Sequence, residues 1–165
     1  MKRFLAAAFL TAIATAGSAA TARTTSLSAT ACQIRAYDET YGYRTTGLMY
    51  SIGGYSAMTN NSTAAGYALC PVAIDGTATT SIYGGRVNVN NYSASNPISC
   101  TVYVAGPYAY FFNTQSVSAV GRQTLSFPHL SAYASDNNAT MVCRIPGKSG
   151  SYGYSHLFGY SFDTP

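Results

Sequence analysis

Between positions 30 and 162, apolar and polar residues alternate in short runs and keep no helical spacing. In "RVNVN", Val87 and Val89 fall on one side, Asn88 and Asn90 on the other. "CTVYV" groups Cys100, Val102 and Val104 opposite Thr101 and Tyr103, and "MVCRIP" groups Met141, Cys143 and Ile145. A two-residue period marks a strand with one buried face. Runs rich in Val, Ile, Tyr and Thr predict strands at 30–37, 46–52, 65–72, 85–92, 99–105, 108–113, 123–130, 140–146 and 153–162. Breakers divide them: "IGGY", "TNNSTAAG", "IDGT", "SNP", "AGP", "SDNNA" and "PGKSGSYG". About nine short strands at this spacing, with no internal repeat, predict an all-β fold: one antiparallel β-sandwich, jelly-roll-like.

The first 22 residues break this pattern. Lys2 and Arg3 precede an apolar run, Phe4 to Ala16, too short to span a bilayer, and Ala20-Thr21-Ala22 fits a small-residue cleavage site. There is no twin-Arg pair, and Cys32 lies too far beyond the apolar run for a lipoprotein signal. Residues 1–22 read as a Sec-type signal peptide and 23–165 as a single secreted or periplasmic domain. Of nine Lys plus Arg, two leave with the signal; seven against five acids gives +2. That scattered charge excludes a nucleic-acid partner, which needs clustered basic residues. With Lys148 the one mature lysine, Ser, Thr, Asn, Gly and Tyr must form the surface.

All four cysteines, Cys32, Cys70, Cys100 and Cys143, fall in the mature part, and none forms a C-x-x-C pair. In an exported chain this predicts two disulfides and no zinc or redox motif. Three pairings are open. Cys100 opens its strand and Cys143 lies near the end of its own, as antiparallel neighbours do, which favours Cys100 with Cys143 and leaves Cys32 with Cys70.

Catalytic chemistry is sparse. Asp38-Glu39 is the one carboxylate cluster, and on a strand the two side chains point to opposite faces. Glycoside hydrolysis needs two carboxylates about 5–10 Å apart. Asp75-Gly76 and Asp136-Asn137 read as turns, and Asp163 stands near the end of the sequence. His129 and His156 sit on separate predicted strands without metal spacing, and no G-x-S-x-G elbow accompanies them. "GKS" at 147–149 lacks the upstream glycine of a phosphate loop, since that position is Val142, and reads as a turn. Neither a cofactor nor a metal is expected. An outer-membrane barrel is disfavoured: its strands need about 9–11 residues each, and most predicted here are shorter and interrupted by proline.

One stretch stands out. "GPYAYFFN" packs four aromatic rings between Tyr108 and Phe112. Strand alternation puts Tyr108, Tyr110 and Phe112 on one face and Phe111 on the other, where Phe111 is the natural core residue. The Tyr108, Tyr110 and Phe112 face is amphipathic, and three readings fit it: packing under a loop, a ligand platform, or a protein contact.

Four further stretches carry a resemblance: "AC" at Ala31-Cys32, "YALCPV" around Cys70, "RVNVNNY" followed by "ISCTVYV" around Cys100, and "MVCRIPGKSG" leading to "YSFD". On these the chain resembles a group of small exported bacterial β-sandwich proteins with four cysteines and no assigned activity. The resemblance implies one disulfide-bonded sandwich and carries over no catalytic residue. The expected function is a non-catalytic secreted or envelope-associated module that contacts glycan or another cell-surface polymer through Tyr108, Tyr110 and Phe112. The alternatives are a self-associating structural protein and a small secreted enzyme or inhibitor.

Overall fold

The computed structural model describes residues 23–34, 48–51, 57–72, 80–105, 110–132, 138–148 and 153–164. The predicted signal peptide lies outside them. In chain order the described elements are β1 (Arg23–Ser28), a short 3-10 turn (Ala29–Ala31), β2 (Gln33–Ile34), β3 (Leu48–Ser51), β4 (Ala57–Asn60), β5 (Gly66–Val72) and β6 (Thr80–Ile82). They continue with β7 (Gly84–Asn91), β8 (Ile98–Ala105), β9 (Tyr110–Val117), β10 (Gly121–Phe127), β11 (Leu130–Ala132), β12 (Asn138–Ile145) and β13 (Ser155–Thr164). Each predicted strand has a counterpart here. The segments β1, β4, β6 and β11 were not expected as separate strands, because each is short or sits beside a turn.

Two antiparallel sheets carry the fold. One runs β10-β7-β13-β4-β3, with β1 also paired to β13; the other runs β2-β5-β12-β8-β9. A small β11-β6 pair stands apart. The inner face of the five-stranded sheet holds Ala68, Cys70 and Val72 from β5, Cys100, Val102 and Val104 from β8, and Met141, Cys143 and Ile145 from β12, all buried. The six-stranded sheet faces it with Val87 and Val89, Leu125 and Phe127, and Leu157, Tyr160 and Phe162. The residues of β7, β8 and β12 in these lists are the ones that the two-residue period assigns to one side. Burying each large aliphatic contributes about 1.5–3 kcal/mol relative to exposure.

Both disulfides belong to the five-stranded sheet. Cys100 and Cys143 are direct register partners on β8 and β12, and Cys32 at the entry to β2 joins Cys70 on β5. Their Cα atoms are 4.0 Å apart in each pair. All four sulfur-bearing side chains are buried under the sheet. The pairing favoured from strand positions is the one present.

Polar side chains tie the layers together where the chain turns. The Tyr160 hydroxyl, from the six-stranded sheet, donates to the Pro71 carbonyl on β5 at 2.8 Å. Burial pushes its pKa up to about 12, so the phenol keeps its proton and its donor role at neutral pH. Asn60 is buried; its amide donates to the carbonyls of Ala64 and Ile145, and its oxygen accepts from the Ser62 backbone and hydroxyl. That turns the "TNNSTAAG" breaker into an ordered corner. Lys148 N donates to Ser62 O at 2.7 Å, and a Cβ at Gly147 would collide with the Thr63 backbone. Gly147-Lys148 therefore packs as a corner against 62–63, and Ser149 lies outside the described residues.

Asn91 does the same on the other side of β13, where its Oδ1 also accepts from the Ser155 hydroxyl. It is fully buried, donates to the carbonyls of Asn96, Val117 and Ser118, and accepts from the Ser93 backbone. One side chain thus holds both the 93–96 turn and the β9–β10 hairpin, whose Gly121 adopts φ +106°. Asn91→Ala takes a shared donor from three carbonyls and an acceptor from the Ser93 N–H, and empties a fully buried site. It is expected to destabilise the protein by about 2–4 kcal/mol, measured by urea denaturation. A loss under about 0.5 kcal/mol, the scale of an ordinary surface substitution, contradicts that role.

Candidate functional site

Strand β9 is the outer member of the five-stranded sheet and pairs with β8 alone among the described strands. Register sets Phe112 beside Tyr103 and Phe111 beside Val104. Phe112 is 65% exposed and Tyr103 39%, with ring centroids 6.1 Å apart and tilted by 36°. Next along the same face, the Thr101 and Thr114 hydroxyls share a hydrogen bond at 2.8 Å. Tyr110 opens β9 opposite Ala105. Its side chain, and the whole of Tyr108, lie outside the described residues.

Phe111 corrects an expectation. It shares the inner side of the sheet with buried Val104, as alternation requires, yet it is 45% exposed and not part of the core. Alternation decides which side a ring takes. Burial depends on whether the opposing sheet reaches that far, and at this edge it does not cover the ring.

The residues weighed for catalysis do not converge among those described. His129 is exposed against Tyr83, with centroids 5.3 Å apart. His156 lies on β13, and its Nδ1 shares a 2.8 Å hydrogen bond with the Thr59 hydroxyl. Burial lowers the His156 pKa, so the ring is neutral at pH 7. Asp163 is the single described carboxylate side chain, and it accepts from the Thr24 hydroxyl. Asp38, Glu39, Asp75 and Asp136 lie outside the described residues. No group of three His, Cys, Asp or Glu side chains that could hold a metal occurs among the described residues.

A second surface was missed by the strand pattern. On β13 the pairing with β7 shifts between Leu157 and Gly159, so that Phe158 is the extra residue of a bulge. Gly159 fits there because a Cβ would lie 3.0 Å from the Leu27 carbonyl oxygen of β1. The bulge changes which side chains face out. His156 and Phe158 stack at 5.8 Å and 23°, Tyr92 stands edge-on to His156 at 5.9 Å, and the Arg122 guanidinium from β10 lies 5.4 Å from the Phe158 centroid. Beside this cluster, Asn88, Arg122, Gln123, Thr124 and Phe158 line a shallow depression of about 550 Å³. Thr124 donates to Asn88 Oδ1 at 3.1 Å across β10 and β7. Another depression, of about 470 Å³, is lined by Thr24, Arg86, Ser126, Ser161 and Asp163. The available sequence signal was the apolar spacing Leu157, Tyr160, Phe162, which breaks the two-residue period around a glycine.

No family model matches the chain, and no curated protein does. Several solved structures are similar in fold. CBM35 from Cellvibrio japonicus Abf62 is 15% identical, with 85% of this chain and 92% of that chain covered and a TM-score of 0.46. TmCBM61, solved in complex with β-1,4-galactotriose, is 8% identical, with 85% and 83% covered and a TM-score of 0.32. A structure described as CBM4 is 15% identical, with 75% and 77% covered and a TM-score of 0.32.

Proposed function

We propose that the protein is a non-catalytic module that binds glycan or another cell-surface polymer on the outer face of the five-stranded sheet. Phe112 and Tyr103 form the stacking surface, with Tyr108 and Tyr110, four and two residues before Phe112 in the sequence, as the further candidate contacts. The observation that carries this reading is the 65% exposure of Phe112 next to the part-exposed ring of Tyr103. Exposed apolar side chains are ordinary one at a time, whereas adjoining rings on a flat sheet mark a contact surface. The C–H face of a pyranose stacks on such rings, and its hydroxyls stay hydrated or meet the tyrosine O–H groups.

The test is a glycan array followed by titration of the best ligand. Phe112→Ala and Tyr103→Ala are each expected to weaken binding by about tenfold or more. Because both rings are exposed, neither substitution is expected to move stability by more than about 1 kcal/mol. Undiminished binding by both variants would remove this surface from consideration.

A second reading rests on the edge of β9 that no described strand pairs. An eight-residue edge strand beside exposed rings is also a template for pairing with another copy of the chain. Light scattering that grows with protein concentration, and that Phe112→Ala abolishes, would favour self-assembly over polymer binding.

A further inference from the structure

The outer face of the six-stranded sheet has a chemistry of its own. Register stacks its outward residues in rows across β10, β7 and β13: Arg122, Asn90 and His156; then Thr124, Asn88 and Gly159; then Ser126, Arg86 and Ser161. The two depressions follow these rows, so the second continues the first along the same ladder.

Three features distinguish the Arg122 end. The guanidinium carbon lies 5.4 Å from the centroid of a ring that is itself stacked on a second ring, so an aromatic pair bounds it on one side. A guanidinium beside an aromatic face is attracted to the ring and keeps its N–H fork available to a carboxylate. The single described carboxylate belongs to the other depression, where it holds Thr24, so among the described residues no carboxylate pairs with Arg122. Asn90, on the same row, is 9% exposed, and its buried Oδ1 has no hydrogen-bond partner among the described residues. A buried acceptor without a donor is rare enough to call for an explanation. A donor supplied by a ligand is one, reached when the amide turns outward.

We propose that this face is a second ligand site, independent of the Phe112 surface, and that it takes a carboxylate-bearing oligosaccharide. Arg122 pairs with the carboxylate through its fork, and Phe158 supplies the apolar wall. Asn88, Thr124 and Asn90 meet hydroxyl groups. The Ser126, Arg86 and Ser161 end receives the next sugar, where Arg86 sets a second positive charge beside its carboxylate.

Trigalacturonate and its fully methyl-esterified form share a backbone and differ in charge, which makes them the probes of choice. In isothermal titration, the wild-type protein is expected to bind trigalacturonate at least about tenfold more tightly than the ester, which is one decade in Kd. The preference should shrink as ionic strength rises, since an exposed ion pair is screened. Arg122→Ala is expected to abolish the preference and Arg122→Lys to restore it in part, because a lysine keeps the charge and loses the fork. Arg144→Ala, which removes one charge from the opposite sheet, should leave binding unchanged. Chemical shifts should move at Asn88, Thr124 and Phe158. Equal binding of acid and ester by the wild type overturns the proposal, as does no binding of either. Wild-type affinity for trigalacturonate in Arg122→Ala also overturns it. The acid–ester comparison needs no variant, so it stands even if a substitution perturbs folding.

Discussion

Loss of the Cys100–Cys143 bridge is expected to destabilise the protein by about 4 kcal/mol, and loss of Cys32–Cys70 by a similar amount, on the chain-entropy model. The bridges span 43 and 38 residues of sequence, so each removes a large share of the unfolded chain's freedom. Together these losses approach the whole stability of an ordinary domain, about 5–15 kcal/mol. The low charge gives little by way of ion pairs to compensate, with 8% of residues charged. A paired Cys→Ala substitution also leaves less side-chain volume in a buried site, which adds to the cost. Guanidinium denaturation of Cys100→Ala/Cys143→Ala checks this against the wild type under oxidising conditions. A difference under about 1 kcal/mol, well below the usual effect of a native bridge, would mean that the sheet ladder alone holds β8 and β12 together.

The second large effect concerns Phe162. It is 2% exposed on β13, the strand that pairs with β7 on one side and with β4 and β1 in succession on the other. Its ring packs near Tyr160 and Phe127 at centroid distances of 6.1 and 5.9 Å. It also occupies the space over Gly85, where an added Cβ would collide with the ring. Phe162→Ala is expected to cost about 3–5 kcal/mol, and Gly85→Ala about 1–3 kcal/mol through overpacking. The two residues share one volume, so their effects should not add. Once the ring is gone, the extra methyl has room, and the double variant should be no less stable than Phe162→Ala. Full additivity in a double-mutant cycle would show that Gly85 is demanded by backbone conformation and not by the ring.

The strands of the inner faces were legible because alternation is local. Val87 and Val89, Cys100 with Val102 and Val104, and Met141 with Cys143 and Ile145 are each buried on the side that their two-residue period assigns. The disulfide pairing could be favoured for the same reason, since cysteines on the apolar faces of antiparallel strands meet when those strands are neighbours. Three things lay beyond any local pattern. Phe111 takes its predicted side and remains exposed, because coverage at a sheet edge depends on how far the opposite layer extends. Asn60 sits in a breaker and Asn91 near the end of a predicted strand, on polar positions, yet both are fully buried, because the backbone carbonyls they satisfy come from segments up to 85 residues away. The cluster of Arg122, Phe158, His156 and Tyr92 exists because a bulge in β13 turns Phe158 to the surface beside β10, whose register is set through β7. Periodicity reports which way a residue points along its own strand. Which strands stand beside it, and what covers it, is decided by pairings between distant parts of the chain.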